Sequence, residues 1–220
     1  MILCAFLVGC HAPKEETSNR SETEMETEIE SEMELEVNKV VSPLPNTIDV
    51  QNLDNCIVAV SLEQGDAYVD DAGAMQMNLM VYTYDLYDMV DIADLVVGDV
   101  IVIRGEDVLI TSLEQNEIGL FINGGLDENG YELRTDDNTV WYESGYSDVK
   151  SYYEIGKATI RVSADMNFYD NSDLDKGEVI YYPGDFLTDA AGIVYHFVPN
   201  NTRIVIENGM IIEMHRSYMP

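Results

Sequence analysis

Basic residues are scarce in this chain, with 11 Lys and Arg against 42 Asp and Glu over 220 residues and a formal charge of −31. A balance that acidic opposes phosphate backbones and anionic lipid surfaces, so DNA, RNA and peripheral membrane contact are excluded as partners. Histidine is nearly as rare: besides His11 there are only His196 and His215, and neither is followed four residues later by another histidine, so the zinc-protease helix is missing. No Gly-x-Ser-x-Gly occurs, and Gly156-Lys157-Ala158-Thr159 lacks the upstream glycine and the adjacent hydroxyl of a phosphate loop. The apolar run Ile2 to Val8 is far shorter than the roughly 20 residues of a membrane-spanning helix.

The end of that run is more informative than its length. Leu7-Val8-Gly9-Cys10 closes a short apolar segment with a small residue and a cysteine, and it resembles the lipobox of bacterial prolipoproteins. The resemblance implies that Cys10 carries a lipid, that residues 1 to 9 are a signal peptide removed before it, and that the protein is extracytoplasmic, held to the membrane through its N-terminus. A short apolar run suits a signal-peptide core, which needs about 7 to 15 residues. No Lys or Arg precedes it, so a start upstream of Met1 is expected. The chain as a whole resembles the surface lipoproteins of gut-dwelling Firmicutes. On this reading Cys4 is discarded and Cys10 is acylated, which leaves Cys56 as the one thiol and no internal disulfide. Cys56 precedes both of the later histidines, and Asp54-Asn55-Cys56-Ile57 lacks the Thr-Leu-x-Thr-Cys of the sortases; a buried strand cysteine is expected.

From His11 to Asn46 there are ten Glu, no Asp and no aromatic residue, with Lys14, Arg20 and Lys39 as the positive charges. Such a stretch buries too little apolar surface to offset the entropy of ordering it, and its Glu side chains repel one another, so an extended tether over residues 10–46 is expected. Pro43 and Pro45 close the tether, and a single folded domain is expected over residues 47–220.

That domain reads as β throughout. Met75 to Tyr84 alternates, with Met75, Met77, Leu79 and Val81 on one face and Gln76, Asn78, Met80, Tyr82 and Tyr84 on the other. Lys157 to Ser163 points Ala158, Ile160 and Val162 inward and Lys157, Thr159 and Arg161 outward. Cys56 to Leu62, Val100 to Arg104, Val108 to Leu113 and Ile118 to Ile122 add short strands, and Gly98-Asp99 turns the chain into the second of these. Asn208-Gly209 marks a hairpin in which a two-residue turn sets Glu207 opposite Met210 and Val205 opposite Ile212, with His215 opposite Thr202. Leu86 to Leu95 and the segment opening at Pro183 are helical candidates. The fold class expected is all-β, a single antiparallel barrel or two-layer sandwich of about nine to eleven short strands with one or two short helices.

Residues 47–220 keep 32 acidic against 8 basic residues, so neutral glycans, cationic peptides and divalent cations are the partners that charge allows. Asp170, Asn171, Asp173, Asp175 and Glu178 form an oxygen-rich loop of the sort Ca²⁺ selects, with Asp170, Asp173 and Asp175 as candidate ligands, although the EF-hand glycine arrives one residue late at Gly177. Asp85, Asp88, Asp91 and Asp94 recur every third residue and read as a solvated helix face. Trp141, Tyr142 and Tyr146, with Tyr152 and Tyr153 beyond, are candidate binding aromatics, since rings flanked by acids and amides suit sugar faces or protein anchors. The function expected is a membrane-anchored binding or interaction module for a glycan or protein ligand, with no catalytic residue assigned. A glycan-directed hydrolase using paired carboxylates and a structural or assembly protein are the alternatives.

Overall fold

Met77, Leu79 and Val81 are buried while Asn78 between them is exposed, so the period-two pattern of this segment is the inner and outer face of one strand. The computed structural model in which this is seen describes residues 39–136 and 138–219; Cys10, its apolar run and the Glu-rich segment to residue 38 lie outside the described residues. Fifteen strands are present among the described residues. They are β1 (Val40–Val41), β2 (Cys56–Ser61), β3 (Ala67–Val69), β4 (Met75–Thr83), β5 (Leu86–Asp88), β6 (Val100–Ile103), β7 (Glu106–Leu109), β8 (Leu113–Gln115), β9 (Leu120–Ile122), β10 (Tyr131–Asp136), β11 (Val140–Ser144), β12 (Tyr153–Asn171), β13 (Val179–Tyr181), β14 (Thr202–Glu207) and β15 (Met210–Ser217). The all-β expectation holds, and the excess over nine to eleven strands comes from two- and three-residue pieces whose patterns are too short to read. Leu86 to Leu95 divides into β5 and a single helical turn, Met89–Ala93, capped by the Asp88 side chain.

Five strands close a barrel. β4 pairs antiparallel with β2 and β12, β14 pairs antiparallel with β2 and β15, and β15 runs parallel to β12. Numbered along the chain, these five follow the order 1-2-3-5-4-1, which is the connectivity of the small Greek-key barrels called OB folds. Val60, Val81, Met166, Phe168, Ile204, Ile206, Ile211 and Met214 fill the interior. Residues 84–152, between the second and third barrel strands, carry the sheet β5-β11-β10-β9-β8 and, together with β1 from the segment ahead of the barrel, the sheet β1-β6-β7, around a second core that contains Tyr87, Ile101, Ile122, Leu133 and Trp141. The fold is entered earlier than Thr47: β1 pairs with β6 and Val41 is buried, because Val40 and Val41 are the first β-branched pair after the Glu-rich run.

β12 spans 19 residues, where only Lys157 to Ser163 had a legible pattern. Its register against β4 shifts between Glu154 and Gly156, and Gly156 sits at a φ of +150°, facing Val50 closely enough that a Cβ would lie 3.2 Å from a valine methyl. Glycine there lets the long strand bend around the barrel. The Gly98-Asp99 turn is self-capped: Asp99 accepts from the Val96 N–H through its side chain, at 3.0 Å, and from the Ile110 N–H through its carbonyl.

The β14–β15 hairpin departs from the simple ladder. Glu207 does face Met210, but one extra residue on β15 moves Val205 opposite Glu213 and His215 opposite Arg203. The bulge lets Ile211 and Met214 both point into the barrel, which an unbroken alternation forbids. Ile211→Ala is therefore expected to lower the unfolding free energy by about 2–5 kcal/mol and Ile212→Ala by under about 1 kcal/mol, measured by urea denaturation. The reverse ranking would contradict the bulged register.

Candidate binding cleft

The register of the barrel sets one row of residues side by side across four strands: Arg203 on β14, Ala59 on β2, Tyr82 on β4 and Glu154 on β12. Val58 and Val60 point into the core, so Ala59 points outward, and its single methyl leaves a hollow between Arg203 and Tyr82. The hollow is a cleft of about 300 Å³ to which Ile57, Ala59, Tyr82, Tyr84, Tyr152 and Arg203 contribute, with Pro199 to Thr202 as a further wall. Glu154 lies on the far side of Tyr82 and does not line it, and neither does any other Asp or Glu among the described residues.

The walls are fixed by their own bonds. Tyr84 and Tyr152 meet edge to face with ring centroids 5.1 Å apart. Lys150 donates to the Tyr84 hydroxyl at 3.0 Å and lies 4.5 Å from the centre of its ring. Tyr82 and Ser61 share a hydroxyl hydrogen bond of 3.1 Å. In the loop wall, Asn201 is buried, accepts from the Val198 N–H at 3.1 Å and donates to the His196 carbonyl at 3.1 Å. Burial, and Tyr84 after it, push the Tyr152 hydroxyl above its ordinary pKa, with Lys150 and Arg203 pulling the other way. The Arg203 guanidinium is exposed and makes no hydrogen bond or ion pair with any described residue.

The aromatic set singled out by composition is not brought together. Trp141 is 7% exposed and belongs to the core of the 84–152 insertion, opposite Thr135 and Tyr87, so it is a packing residue. Tyr142 is half-buried, with Lys150 over its ring at 5.3 Å. Tyr146 is exposed, donates to the Leu126 carbonyl at 3.3 Å and lines a separate hollow with Glu132, Arg134 and Asp148. Tyr82, Tyr84 and Tyr152 meet instead, because β4 ends where β12 begins and Tyr153 pairs with Thr83.

The oxygen-rich loop is also corrected. Asp170 is buried and both of its carboxylate oxygens accept from the Arg216 guanidinium, whose third side donates to the Val194 carbonyl and whose plane lies 4.5 Å from the Phe197 ring. Asp173 pairs with Lys176 at 3.0 Å and accepts from the Asp175 N–H. Among the described residues no three His, Cys, Asp or Glu side chains gather as a metal site. The loop lines a second cavity of about 620 Å³ together with His196 and Tyr181. Arg216 lies far along the chain from these acids, and nothing in the sequence signalled that it would neutralise one of them.

Several further polar groups are held by partners, while the buried Asp99 keeps its Oδ1 without a hydrogen bond among the described residues. Asp85, expected on a solvated face, is 3% exposed and accepts from the Tyr153 hydroxyl at 2.8 Å and the Arg104 N–H at 2.6 Å; burial and this bond push Tyr153 up to about 12. Glu143 is buried against the Arg104 guanidinium. His215 stacks on Tyr169 with centroids 5.0 Å apart and bonds to Glu213 at 3.0 Å. Cys56 is half-buried rather than fully enclosed, and burial followed by the nearby Asp54 raises its thiol pKa. No helix among the described residues is long and apolar enough to cross a membrane. Comparison with protein-family models, with curated proteins and with solved structures finds no match to this chain.

Burial raises the Asp170 pKa, but the Arg216 and Ser172 hydrogen bonds outweigh it and hold the carboxyl below its ordinary value. The stability this pair contributes is thus complete above about pH 4 and is lost as pH falls through the folded value. Asp170→Asn is expected to cost about 3–5 kcal/mol at neutral pH, because it leaves Arg216 buried without its charge partner, and to flatten the acid-side fall of the melting temperature. Millimolar Ca²⁺ should leave the wild-type melting temperature unchanged; a rise would restore the loop as a cation site.

Proposed function

We propose that this protein is a lipid-anchored, extracytoplasmic binding module that takes a glycan in the cleft over Ala59. The reading rests on one observation above the others: three tyrosine rings and an arginine without an ion-pair partner among the described residues converge on a hollow that no acidic side chain of those residues lines. Rigid rings beside adaptable polar groups are the composition of carbohydrate and protein contact surfaces. A hydrolase would need a free carboxylate pair facing its substrate. Asp85, Glu143 and Asp170, buried acids of the described residues, are each held by a tyrosine, an arginine or a backbone N–H. The anchor rests on Leu7-Val8-Gly9-Cys10 and on the acidic run behind it, which would lift the domain off the membrane.

Two experiments test the two halves. Cells expressing the protein and fed a clickable palmitate analogue should label it, and Cys10→Ala should abolish the label; persistent labelling would remove Cys10 as the anchor. The purified full chain should be retained by members of a glycan array, and Ala59→Trp, which fills the hollow from an outward position, should abolish retention without changing the melting temperature. Retention indifferent to Ala59→Trp would place the ligand elsewhere.

A further inference from the structure

The field around the cleft narrows the ligand further. The protein is strongly anionic, yet the charged side chain that lines this hollow is of the opposite sign, Arg203. At physiological ionic strength charges beyond about 8 Å are largely screened, so contact charges rather than net charge decide what is held there. A guanidinium presents a planar fork that matches a carboxylate through two parallel hydrogen bonds, and Arg203 makes neither bond with any described residue. The Tyr152 hydroxyl and the side chains of Asn200 and Ser217, also on the lining, have no hydrogen bond with any described residue, so they are free to meet hydroxyl groups. Ile57, 63% exposed, and the tyrosine rings offer apolar faces beside them. A volume of about 300 Å³ lies at the small end of ligand sites, which suits one sugar ring rather than an extended chain.

We infer that the cleft recognises an acidic sugar, with the carboxylate of a uronic acid-type unit on Arg203, its C–H face against the tyrosines and its hydroxyls on Tyr152, Asn200 and Ser217. This rests on the binding reading above and adds the charge and size of the ligand. Ala59 is a specificity residue in the same sense, because a larger side chain at that point of the row would close the space between Arg203 and Tyr82.

Calorimetric titration of the full chain with D-glucuronate, D-glucose and acetate separates the contributions. Glucuronate should bind at least about 10-fold more tightly than either glucose or acetate, since glucose lacks the charge and acetate lacks the ring. Arg203→Gln, at an exposed position that leaves the core untouched, should erase the preference over glucose, and Arg203→Lys should restore only part of it. Equal affinity for glucose and glucuronate, both lost in Ala59→Trp, would overturn the acidic-sugar inference while leaving the binding reading intact. Equal affinity for acetate and glucuronate would reduce the site to an anion contact and overturn the sugar. No binding of glucuronate would overturn the inference outright, and the glycan array then decides whether the binding reading falls with it.

Discussion

Strand β12 pairs with β4 along its first half and with β15 and β13 along its second, and this double pairing is what turns a meander into a closed barrel. Closure leaves the five barrel strands without a free edge among themselves, which matters in a chain whose described residues contain a single free cysteine and no disulfide. The strand can serve two neighbours of opposite direction only because it bends. Gly156 supplies one bend, where a side chain would meet Val50, and a second irregularity between Val162 and Asn167 resets the register against β15. A straight strand of that length would part from one partner or the other.

The same closure makes the cleft. Arg203, Ala59 and Tyr82 come from three strands that are far apart in sequence, and only the β14–β2–β4 pairing sets them in a row. The 84–152 insertion leaves the barrel after Thr83 and returns at Tyr153, so its two stems bring Tyr84 and Tyr152 side by side. The hydrogen bond from the Tyr153 hydroxyl to Asp85 then joins insertion to barrel at that neck, and contacts within the insertion brace it. Asp85 is bonded to Tyr153 and Arg104, Arg104 to Glu143, and Lys150 spans Tyr84 and Tyr142. Groups that composition alone presents as free acids are the fasteners of this joint, while Arg203, Tyr152, Asn200 and Ser217 on the cleft wall keep side-chain hydrogen-bonding capacity to spare.

Much of the fold was legible because one face of each long strand is buried. The alternations at Met75 to Tyr84 and Lys157 to Ser163, and the Asn208-Gly209 turn, are all present in the structure. The bulge on β15 was not legible, because a single extra residue changes no composition and shows only in which of Ile211, Ile212 and Met214 reach the core. The candidate cleft was half legible. Tyr82 and Tyr84 were readable as outward residues of their strand, and Tyr152 as part of an aromatic group. Trp141 drew attention by rarity and proved to be core, since rarity says nothing about which face a residue occupies. Arg203 and Ala59 carried no signal of their own, because their meaning lies in a cross-strand register between β2 and β14 that no local pattern encodes. Asp170 shows the same limit in reverse: it read as a cation ligand until β15 brought Arg216 beside it.

The hollow between Arg203 and Tyr82, on the proposed reading, is where this protein meets its ligand. Amide chemical-shift mapping of the isotope-labelled full chain during titration with glucuronate tests that claim most directly. Shifts are expected to cluster on Ile57 to Ala59, Tyr82 to Tyr84, Tyr152 and Asn200 to Arg203, with the Ala59→Trp spectrum unresponsive. Shifts centred instead on the Asp170–Arg216 cavity or on Tyr146, or a spectrum that does not change, would contradict it.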